Sequence, residues 1–136
     1  MKIITVEEDI INFLSQIENT IENTIDEVGG VVIFEGRVRR DLDVHSIEYQ
    51  GDKEMIFVQG EMILKEAIEK FQIIDAILIH RLGYVKVGEL SIWIRCSAKH
   101  RKEAYASSQF IIDNVKKLLP IWKKEHLQNG ESHWIM

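Results

Sequence analysis

Residues 95–125 decide how this chain folds, and much of its positive charge is concentrated in them. Their sequence is RCSAKHRKEAYASSQFIIDNVKKLLPIWKKE. It holds eight Lys and Arg residues, although the whole sequence is acidic, with 22 Asp and Glu against 17 Lys and Arg. The segment begins at the end of a predicted strand over residues 89–97. There apolar side chains recur at every second position, which is typical of a strand with one buried face: Leu90, Ile92, Ile94 and Cys96.

The pattern after this strand predicts a helix that begins near Lys99, with the hydroxyl of Ser97 as its N-cap. Pro120 ends the helix, and residues 121–124 are expected to form a short helical turn after it. Phe110 is predicted to point away from the core, towards a dimer or partner surface. Small and apolar residues at spacings of three and four predict the buried face: Ala104, Ser108, Ile111, Val115 and Leu118.

Several cations of this helix occupy unfavourable positions. Arg101 and Lys116, together with Tyr105 and Ile112, fall at one edge of the apolar stripe and are expected to be half-buried. His100 and Arg101 also stand at the helix N-terminus, where positive charge opposes the helix dipole. A solvated helix face is the alternative interpretation of such a run. Because local conflicts mark functional sites, we expect an anion such as phosphate to bind at His100 and Arg101.

Three groups of residues follow one another in an order that is typical of one protein family. The first is GVVIFEGRVR at residues 30–39, and the second is HRLG at residues 80–83 followed by VGE at residues 87–89. The third runs from Ser97 through His100, Arg101, FIID at 110–113 and Lys116 to PIWKKE at 120–125. Together they resemble the large, catalytic subunit of molybdopterin synthase over about residues 29–134.

The resemblance implies a sulfurtransferase of molybdenum cofactor biosynthesis. In that family, cyclic pyranopterin monophosphate receives two sulfurs and becomes the dithiolene of molybdopterin. Each sulfur arrives as a thiocarboxylate on the C-terminal glycine of a small ubiquitin-like partner subunit. By resemblance, Lys116 and Lys123 match the two catalytic lysines, whereas Arg39, His100 and Arg101 match the pocket for the substrate and its phosphate.

The chain departs from the family pattern at two places. Residues 40–45 read RDLDVH where family members commonly have a loop with Asn and Gly, so the contribution of the loop at residues 40–46 is open. The sequence also ends soon after Trp134, and a pocket residue that longer members supply from an extended tail is expected to be absent.

Helix geometry predicts that the site is shared between two protomers. Arg101 and Lys116 are fifteen residues apart, which separates them by roughly 22 Å along one helix. We therefore expect a homodimer in which one protomer supplies His100 and Arg101, and the other supplies Lys116, Lys123 and Arg39. A carrier subunit on each protomer would complete a heterotetramer.

The length and composition of the sequence limit the kinds of protein that this chain can be. A chain of 136 residues, 46% of them hydrophobic, suits one domain spanning residues 1–136. Its acidic balance argues against nucleic-acid binding, and no apolar run approaches the ~20 residues that span a bilayer. A single cysteine, Cys96, fits a reducing cytoplasm and is expected in the core rather than as a nucleophile. The histidines lack metal-ligand spacing, so we predict neither a metal site nor a resident cofactor.

The remaining elements predict an α+β domain with a mostly antiparallel sheet and flanking helices, which the resemblance sharpens to the α/β-hammerhead fold. Thr5 and Glu8 form a predicted capping box before a helix that buries Ile10, Phe13 or Leu14, Ile17 and Ile21. A strand over residues 31–39 is expected to pair with residues 47–50. A helix over residues 53–71 is predicted to turn Met55, Val58, Met62, Ala67, Ile68 and Phe71 inward. A strand over residues 73–81 precedes a hairpin-like connection, and the chain is expected to be irregular past Glu125.

Two other classes of function remain open at this point. A non-catalytic module could use the same basic edge to bind the C-terminal tail of a partner or an anionic ligand. An enzyme that acts on a different phosphorylated small molecule is a weaker alternative.

Overall fold

The computed structural model describes residues 1–21, 26–41 and 43–135, without the side chains of residues 18–21. Within these residues the chain forms eight strands and three helices. In chain order they are β1 (Lys2–Val6), α1 (Ile10–Ile21), β2 (Gly30–Arg37), β3 (Val44–Gly51), α2 (Lys53–Phe71), β4 (Asp75–Arg81), β5 (Gly83–Lys86), β6 (Leu90–Ala98), α3 (Arg101–Leu118), β7 (Ile121–Leu127) and β8 (Ser132–Ile135).

The strands form two four-stranded sheets, and the predicted α+β class is confirmed. The first sheet has the order β1-β4-β6-β2, and the second has the order β5-β3-β7-β8. All pairs are antiparallel except β1 with β4. The predicted pairing of residues 47–50 with β2 is wrong, because β3 pairs with β5 and β7 instead.

The strand β7 was not predicted, and it explains this difference. Pro120 disfavours helical backbone at the preceding residue, and Leu119 is extended at φ −70° and ψ 126°. The chain therefore leaves α3 as a strand rather than as the expected helical turn. The prediction of irregular structure past Glu125 is also wrong, because β7 continues to Leu127 and β8 pairs with it.

Both faces of the central strand β6 are buried, whereas the sequence analysis expected one. Side chains of α2 and α3 pack against Ile94 and Cys96 on one face. On the other face, Trp93 packs with Ile77, Ile79 and the α1 residue Ile10. The core position predicted for Cys96 is confirmed: the side chain is fully buried, and burial raises the pKa of its thiol.

The N-terminal helix packs as predicted but begins differently. Ile10, Phe13, Leu14 and Ile17 all join the second core cluster, whereas the side chain of Ile21 lies outside the described residues. The predicted capping box is wrong because Thr5 belongs to β1. Asp9 takes the capping role, since its Oδ1 accepts a hydrogen bond of 2.8 Å from the Ile11 amide.

Helix α2 has the predicted bounds but a different buried face. Met55, Val58 and Met62, which were expected inside, are each more than half exposed. Gly60 lies on the buried face, where an added Cβ would stand 3.1 Å from Cγ2 of Ile3 in β1. This close approach is the packing reason for a glycine inside a helix. The buried positions are Ile56, Gly60, Ile63, Leu64 and Ala67.

Helix α3 is rotated about its axis relative to the prediction. Phe110, expected to point outward, is partly buried, with its ring 5.5 Å from that of Phe71 in α2. Tyr105 and Lys116 on the opposite edge are exposed instead of half-buried. One cause accounts for both errors, because α2 covers the edge of α3 that carries Phe110. The buried positions are Ala104, Ser107, Ser108, Ile111 and Val115, whereas Leu118 is exposed.

The end of β4 and the start of β6 are joined by a largely buried ion pair. Nη1 of Arg81 lies 3.3 Å from Oε1 of Glu89, and the Arg81 side chain is only 11% exposed. Nε and Nη1 of Arg81 find no hydrogen-bond acceptor among the described residues. The carboxylate of Glu89 is therefore the main group that offsets the cost of burying the positive charge of Arg81.

Replacing Glu89 by Gln should lower the free energy of unfolding by about 2 kcal/mol, because it leaves the Arg81 charge buried without a counter-charge. Glu35→Gln is the matched control, since Glu35 pairs with Arg37 at 3.0 Å and both side chains are about half exposed. We expect the control to cost less than about 1 kcal/mol. Urea unfolding of both variants measures the difference, and equal costs would contradict this assignment.

Candidate functional site

The side chains of Lys116 and Lys123 lie close together where α3 ends and β7 begins. Lys116 lies in the last turn of α3, and Lys123 is the third residue of β7. Between them, the amide of Leu119 donates to the Val115 carbonyl at 3.1 Å and closes the helix. The ring of Pro120 then restricts the backbone and starts the strand. This junction brings the two amines close enough that Lys116 lowers the pKa of Lys123.

These two lysines stand between a small cavity and a wider groove. The cavity has about 400 Å³ of free space, including its open mouth, and extends inward past Tyr49, His80 and Ser91. The groove has about 670 Å³, counted in the same way, and reaches outward to Arg39 and Asp41. Both spaces share the two lysines, Tyr49, Ser91 and Ile92. A groove of this size suits a small-molecule ligand.

The environment of Lys123 favours its neutral form. Its side chain is half-buried, and this burial is the largest cause that lowers the pKa of Lys123 to about 8. Hydrogen bonding to Lys116 and repulsion between the two charges lower the pKa further. Because the pKa of Lys123 is about 8, a minor fraction of its amine is neutral at pH 7 and about half of it is neutral at pH 8, next to the amine of Lys116.

Tyr49 forms the floor of the site and was not singled out as a functional residue by the sequence. It lies opposite Lys123 in the register of β3 and β7, and the Lys123 Nζ stands 6.0 Å from the centre of the Tyr49 ring. Tyr49 is 5% exposed, and burial raises the pKa of its hydroxyl despite a hydrogen bond with Ser91. The Ser91 hydroxyl also donates to the Gly36 carbonyl at 3.3 Å. This tyrosine therefore stays protonated beneath the lysine amine.

His80 forms the inner wall of the cavity, and no chemical role was predicted for it. The residue is 6% exposed, and its ring centre lies 5.3 Å from that of Tyr49 in an edge-to-face arrangement. Burial lowers the pKa of His80 to about 4, and the charges of Lys116 and Lys123 add to this shift. The imidazole is therefore neutral at physiological pH. Only its place in the HRLG motif could have drawn attention to it.

Arg39 lies at the outer end of the groove, just past the end of β2. Its side chain is 83% exposed, and its Nε stands 3.2 Å from Oδ1 of Asp41. An exposed ion pair of this kind contributes little to stability, so an anionic ligand can replace Asp41 at low cost. Asp41 belongs to the loop that departs from the family pattern, and Leu42 of the same loop lies outside the described residues.

His100 and Arg101 do not lie in this groove. They are exposed at the N-terminus of α3, where the backbone of His100 is extended and caps the helix without a side-chain hydrogen bond to the described residues. The predicted N-cap Ser97 is wrong, because Ser97 is a buried residue of β6. The start of β2 packs tightly here, since a Cβ on Gly29 would come within 2.2 Å of the Lys99 carbonyl oxygen.

The strand β2 separates these two groups of cations. His100 and Arg101 contact its first residue, Gly30, whereas Arg39 follows its last residue, Arg37. Eight extended residues span roughly 23 Å. This distance agrees with the roughly 22 Å expected between Arg101 and Lys116 along α3. One protomer therefore presents two separate cationic sites.

The described part of the chain adds two findings about other classes of site. In residues 1–21, 26–41 and 43–135, His, Cys, Asp and Glu side chains form no group of three or more that could hold a metal ion. None of the helices in these ranges combines the length and the apolar character needed to cross a membrane.

Two adjacent lysines on a cationic groove, one of them half-buried with a lowered pKa, are typical of a site that carries out acid–base or covalent chemistry on an anionic substrate. The two-sheet α+β fold and this site together correspond to those of a known protein family. The chain is a member of the MoaE protein family, whose model matches residues 6–118. The matched region contains Arg39, His100, Arg101 and Lys116, and it ends before Lys123.

Individual relatives agree with this family. The chain is 43% identical over 110 residues to the molybdopterin synthase catalytic subunit of Pyrococcus abyssi, which covers 79% of this chain and 74% of the relative. It is 40% identical over 111 residues to the same subunit of Thermoplasma volcanium, covering 79% and 81%. The crystal structure of molybdopterin synthase from Staphylococcus aureus superimposes with a TM-score of 0.85 at 30% identity, covering 97% of this chain and 95% of that one.

Proposed function

We propose that this protein is the catalytic subunit of a molybdopterin synthase. It transfers sulfur from the C-terminal thiocarboxylate of a small carrier subunit to cyclic pyranopterin monophosphate and so forms the molybdopterin dithiolene. The observation that carries this proposal is the Lys116–Lys123 pair, which stands at the junction of a cavity and a groove. The names of the relatives, all catalytic subunits, support the same reaction.

The chain has no thiol with which to carry the sulfur itself. Cys96 is its only cysteine, and it is fully buried in β6, away from the groove. Sulfur must therefore arrive on another molecule, and a thiocarboxylate at the end of a flexible tail fits a groove that is open to solvent. After each transfer the carrier is left with an ordinary carboxylate. The family resemblance implies that this other molecule is a small sulfur-carrier subunit whose C-terminal glycine bears the thiocarboxylate.

The lysine pair supplies the acid–base chemistry of the transfer. A neutral amine accepts a proton or attacks a carbonyl carbon, while the neighbouring ammonium stabilises the oxyanion that develops. In one division of roles, Lys116 acts as the general base or nucleophile, and Lys123 acts as the proton donor or as electrostatic support. Because the lowered pKa lies on Lys123, the opposite division is equally consistent with the geometry. Arg39 at the end of the groove binds the anionic part of the substrate.

The complete site requires two protomers. His100 and Arg101 present cations and free helix-terminal amides suited to a phosphate, but β2 holds them far from Arg39 in the same chain. A two-fold axis that sets the α3 N-terminus of one protomer against the groove of the other resolves this separation. The assembly is then a homodimer with a carrier bound to each protomer, formed by single-domain chains in the cytoplasm.

The main alternative is a binding module that holds a carrier tail or a phosphorylated ligand without chemistry. It accounts for the cationic groove, but it gives no reason to place two like charges next to each other when one of them, Lys123, is half-buried. The test supplies cyclic pyranopterin monophosphate and the thiocarboxylated carrier, and it follows dithiolene formation. Turnover supports the proposed function. Binding of both components without product would support the alternative.

The rate of sulfur transfer should depend on pH through the lysine pair. The pKa of Lys123 is lowered to about 8, so the neutral amine becomes scarcer below that value. We expect the rate at saturating substrate to fall about tenfold per pH unit below pH 8 and to level off above it. Initial rates between pH 6.5 and 9.5 measure this profile. A rate that is flat over this range would rule out a neutral lysine as the reacting group.

A further inference from the structure

The cavity behind the lysine pair contains a histidine that the proposed reaction does not use. His80 is nearly fully buried, yet it lines the same cavity as Lys116 and Lys123. Histidines buried only for packing have no need to face a polar cavity. The position of the His80 imidazole on the cavity wall therefore indicates that it has a functional role.

The hydrogen bonds of His80 fix which nitrogen carries its proton. Nδ1 lies 2.8 Å from the backbone carbonyl oxygen of Arg81. A carbonyl oxygen can only accept, so Nδ1 must donate and must hold the hydrogen. In the neutral ring, Nε2 is then an acceptor with a free lone pair. Because His80 lines the same cavity as Lys116 and Lys123 and its Nδ1 is bonded to Arg81, Nε2 is the ring nitrogen left to accept a hydrogen bond there.

The chemistry of the ring excludes a role as the general base. With a pKa near 4, the imidazole is too weak a base to hold a proton taken from a reacting group near neutral pH. The same ring remains a good hydrogen-bond acceptor. A residue of this kind orients a donor rather than removing its proton.

From this geometry, and on the basis of the function proposed above, we propose that His80 is a positioning residue for the lysine pair. Its Nε2 anchors a water molecule in the cavity, and this water accepts a hydrogen bond from the ammonium of Lys123. The cavity has room for such a water and offers it three polar partners. The contact stabilises the charged form of Lys123 and fixes the position of its amine beside Lys116.

The test uses substitutions that separate the two ring nitrogens. The amide of His80→Gln reaches the position of Nε2 and keeps an acceptor in the cavity. The shorter amide of His80→Asn reaches only the position of Nδ1 and keeps the bond to Arg81. His80→Phe removes both functions but fills the space. His133→Gln, an exposed histidine of β8, is the control for histidine replacement in general.

The readout is the pKa of Lys123, measured on the full-length variants by NMR titration of lysines labelled at Cε. We expect His80→Phe and His80→Asn to lower this pKa by about one further unit, because the ammonium loses an acceptor. His80→Gln and His133→Gln should leave it within about 0.3 units of wild type. An unchanged pKa in His80→Phe would overturn the proposal, and so would equal shifts in the Gln and Asn variants.

A second measurement requires no substitution. Nitrogen-15 spectra of the histidines should show His80 as the neutral tautomer with hydrogen on Nδ1, from pH 6 to 9. Hydrogen on Nε2 would overturn the proposal. Because neither readout involves turnover, a failure here is distinguishable from a failure of the sulfur-transfer function, which the dithiolene assay on the wild-type protein tests.

Discussion

Replacing Lys123 by Met should lower the rate of dithiolene formation by at least about 10³-fold while making the protein more stable at neutral pH. The loss of rate follows from removing the amine whose pKa is lowered to about 8. Methionine keeps the unbranched side chain above Tyr49, so the packing of β7 is preserved. The dithiolene assay and thermal unfolding of the same preparations measure both effects.

The gain in stability follows from the sign of the pKa shift. The pKa of Lys123 is lower in the folded protein than its ordinary value of 10.5, so the unfolded chain binds more protons between about pH 8 and 10.5. Wild-type stability therefore rises with pH across this window, and below it the folded state carries the full cost of the charged lysine. Lys123→Met removes that cost. Its advantage in melting temperature should amount to a few degrees at pH 7 and should vanish above pH 10.5.

Neighbouring lysines provide matched controls for this experiment. Lys124 is the next residue of β7, and its Nζ lies 5.2 Å from the Trp134 ring, on the other face of the strand from Lys123. Lys124→Met should keep nearly full activity. Lys116→Ala should abolish turnover with folding intact, and exposed Lys117→Ala should not. Activity that survives in Lys123→Met and Lys116→Ala would remove the pair from the mechanism.

Two inactive variants should restore activity when they are combined in one dimer. Co-expression of Arg101→Ala with Lys116→Ala gives heterodimers in which one site has both mutations and the other site has neither. Random pairing makes half of the dimers heterodimers, each with one intact site of two. We therefore expect about one quarter of wild-type activity from the mixture, against less than about 1% for either variant alone.

The same logic supplies a sharp control. Arg39 and Lys116 lie on one groove of one protomer, so they fall in the same half of the shared site. Arg39→Ala should therefore complement Arg101→Ala but should not complement Lys116→Ala. Complementation in the second case, or its absence in the first, would contradict the proposed arrangement of the dimer. Differently tagged chains allow the heterodimer to be purified before the assay.

The fold was predictable where the hydrophobic period was strong. The α+β class, the bounds of α2 and the burial of Cys96 followed from periodicity and from the resemblance. The rotation of α3 was not predictable, because a stripe of small residues fits several faces and only the position of α2 selects one. Phe110 and Tyr105 lie on opposite edges of that stripe, so a single shift moved one inward and the other outward.

The second sheet was missed because β7, one of its two inner strands, lacks an alternating pattern. The sequence of β7, IWKKEHL, places lysines beside apolar residues, since one of its faces forms the site. The residues that form the site interrupt the alternation of polar and apolar side chains from which a strand is predicted. Tyr49, His80 and Ser91 were missed for a related reason: buried polar side chains resemble core residues until their neighbours are known.

Pro120 stands midway between the two lysines, and its ring limits how the helix end and the strand can tilt. Two like charges at neutral pH tend to move apart, and a looser hinge would allow them to do so. A rigid turn at Pro120 prevents the two amines from moving apart. The reactivity of the amines would then depend on the stiffness of a single backbone corner whose proline lines neither the cavity nor the groove.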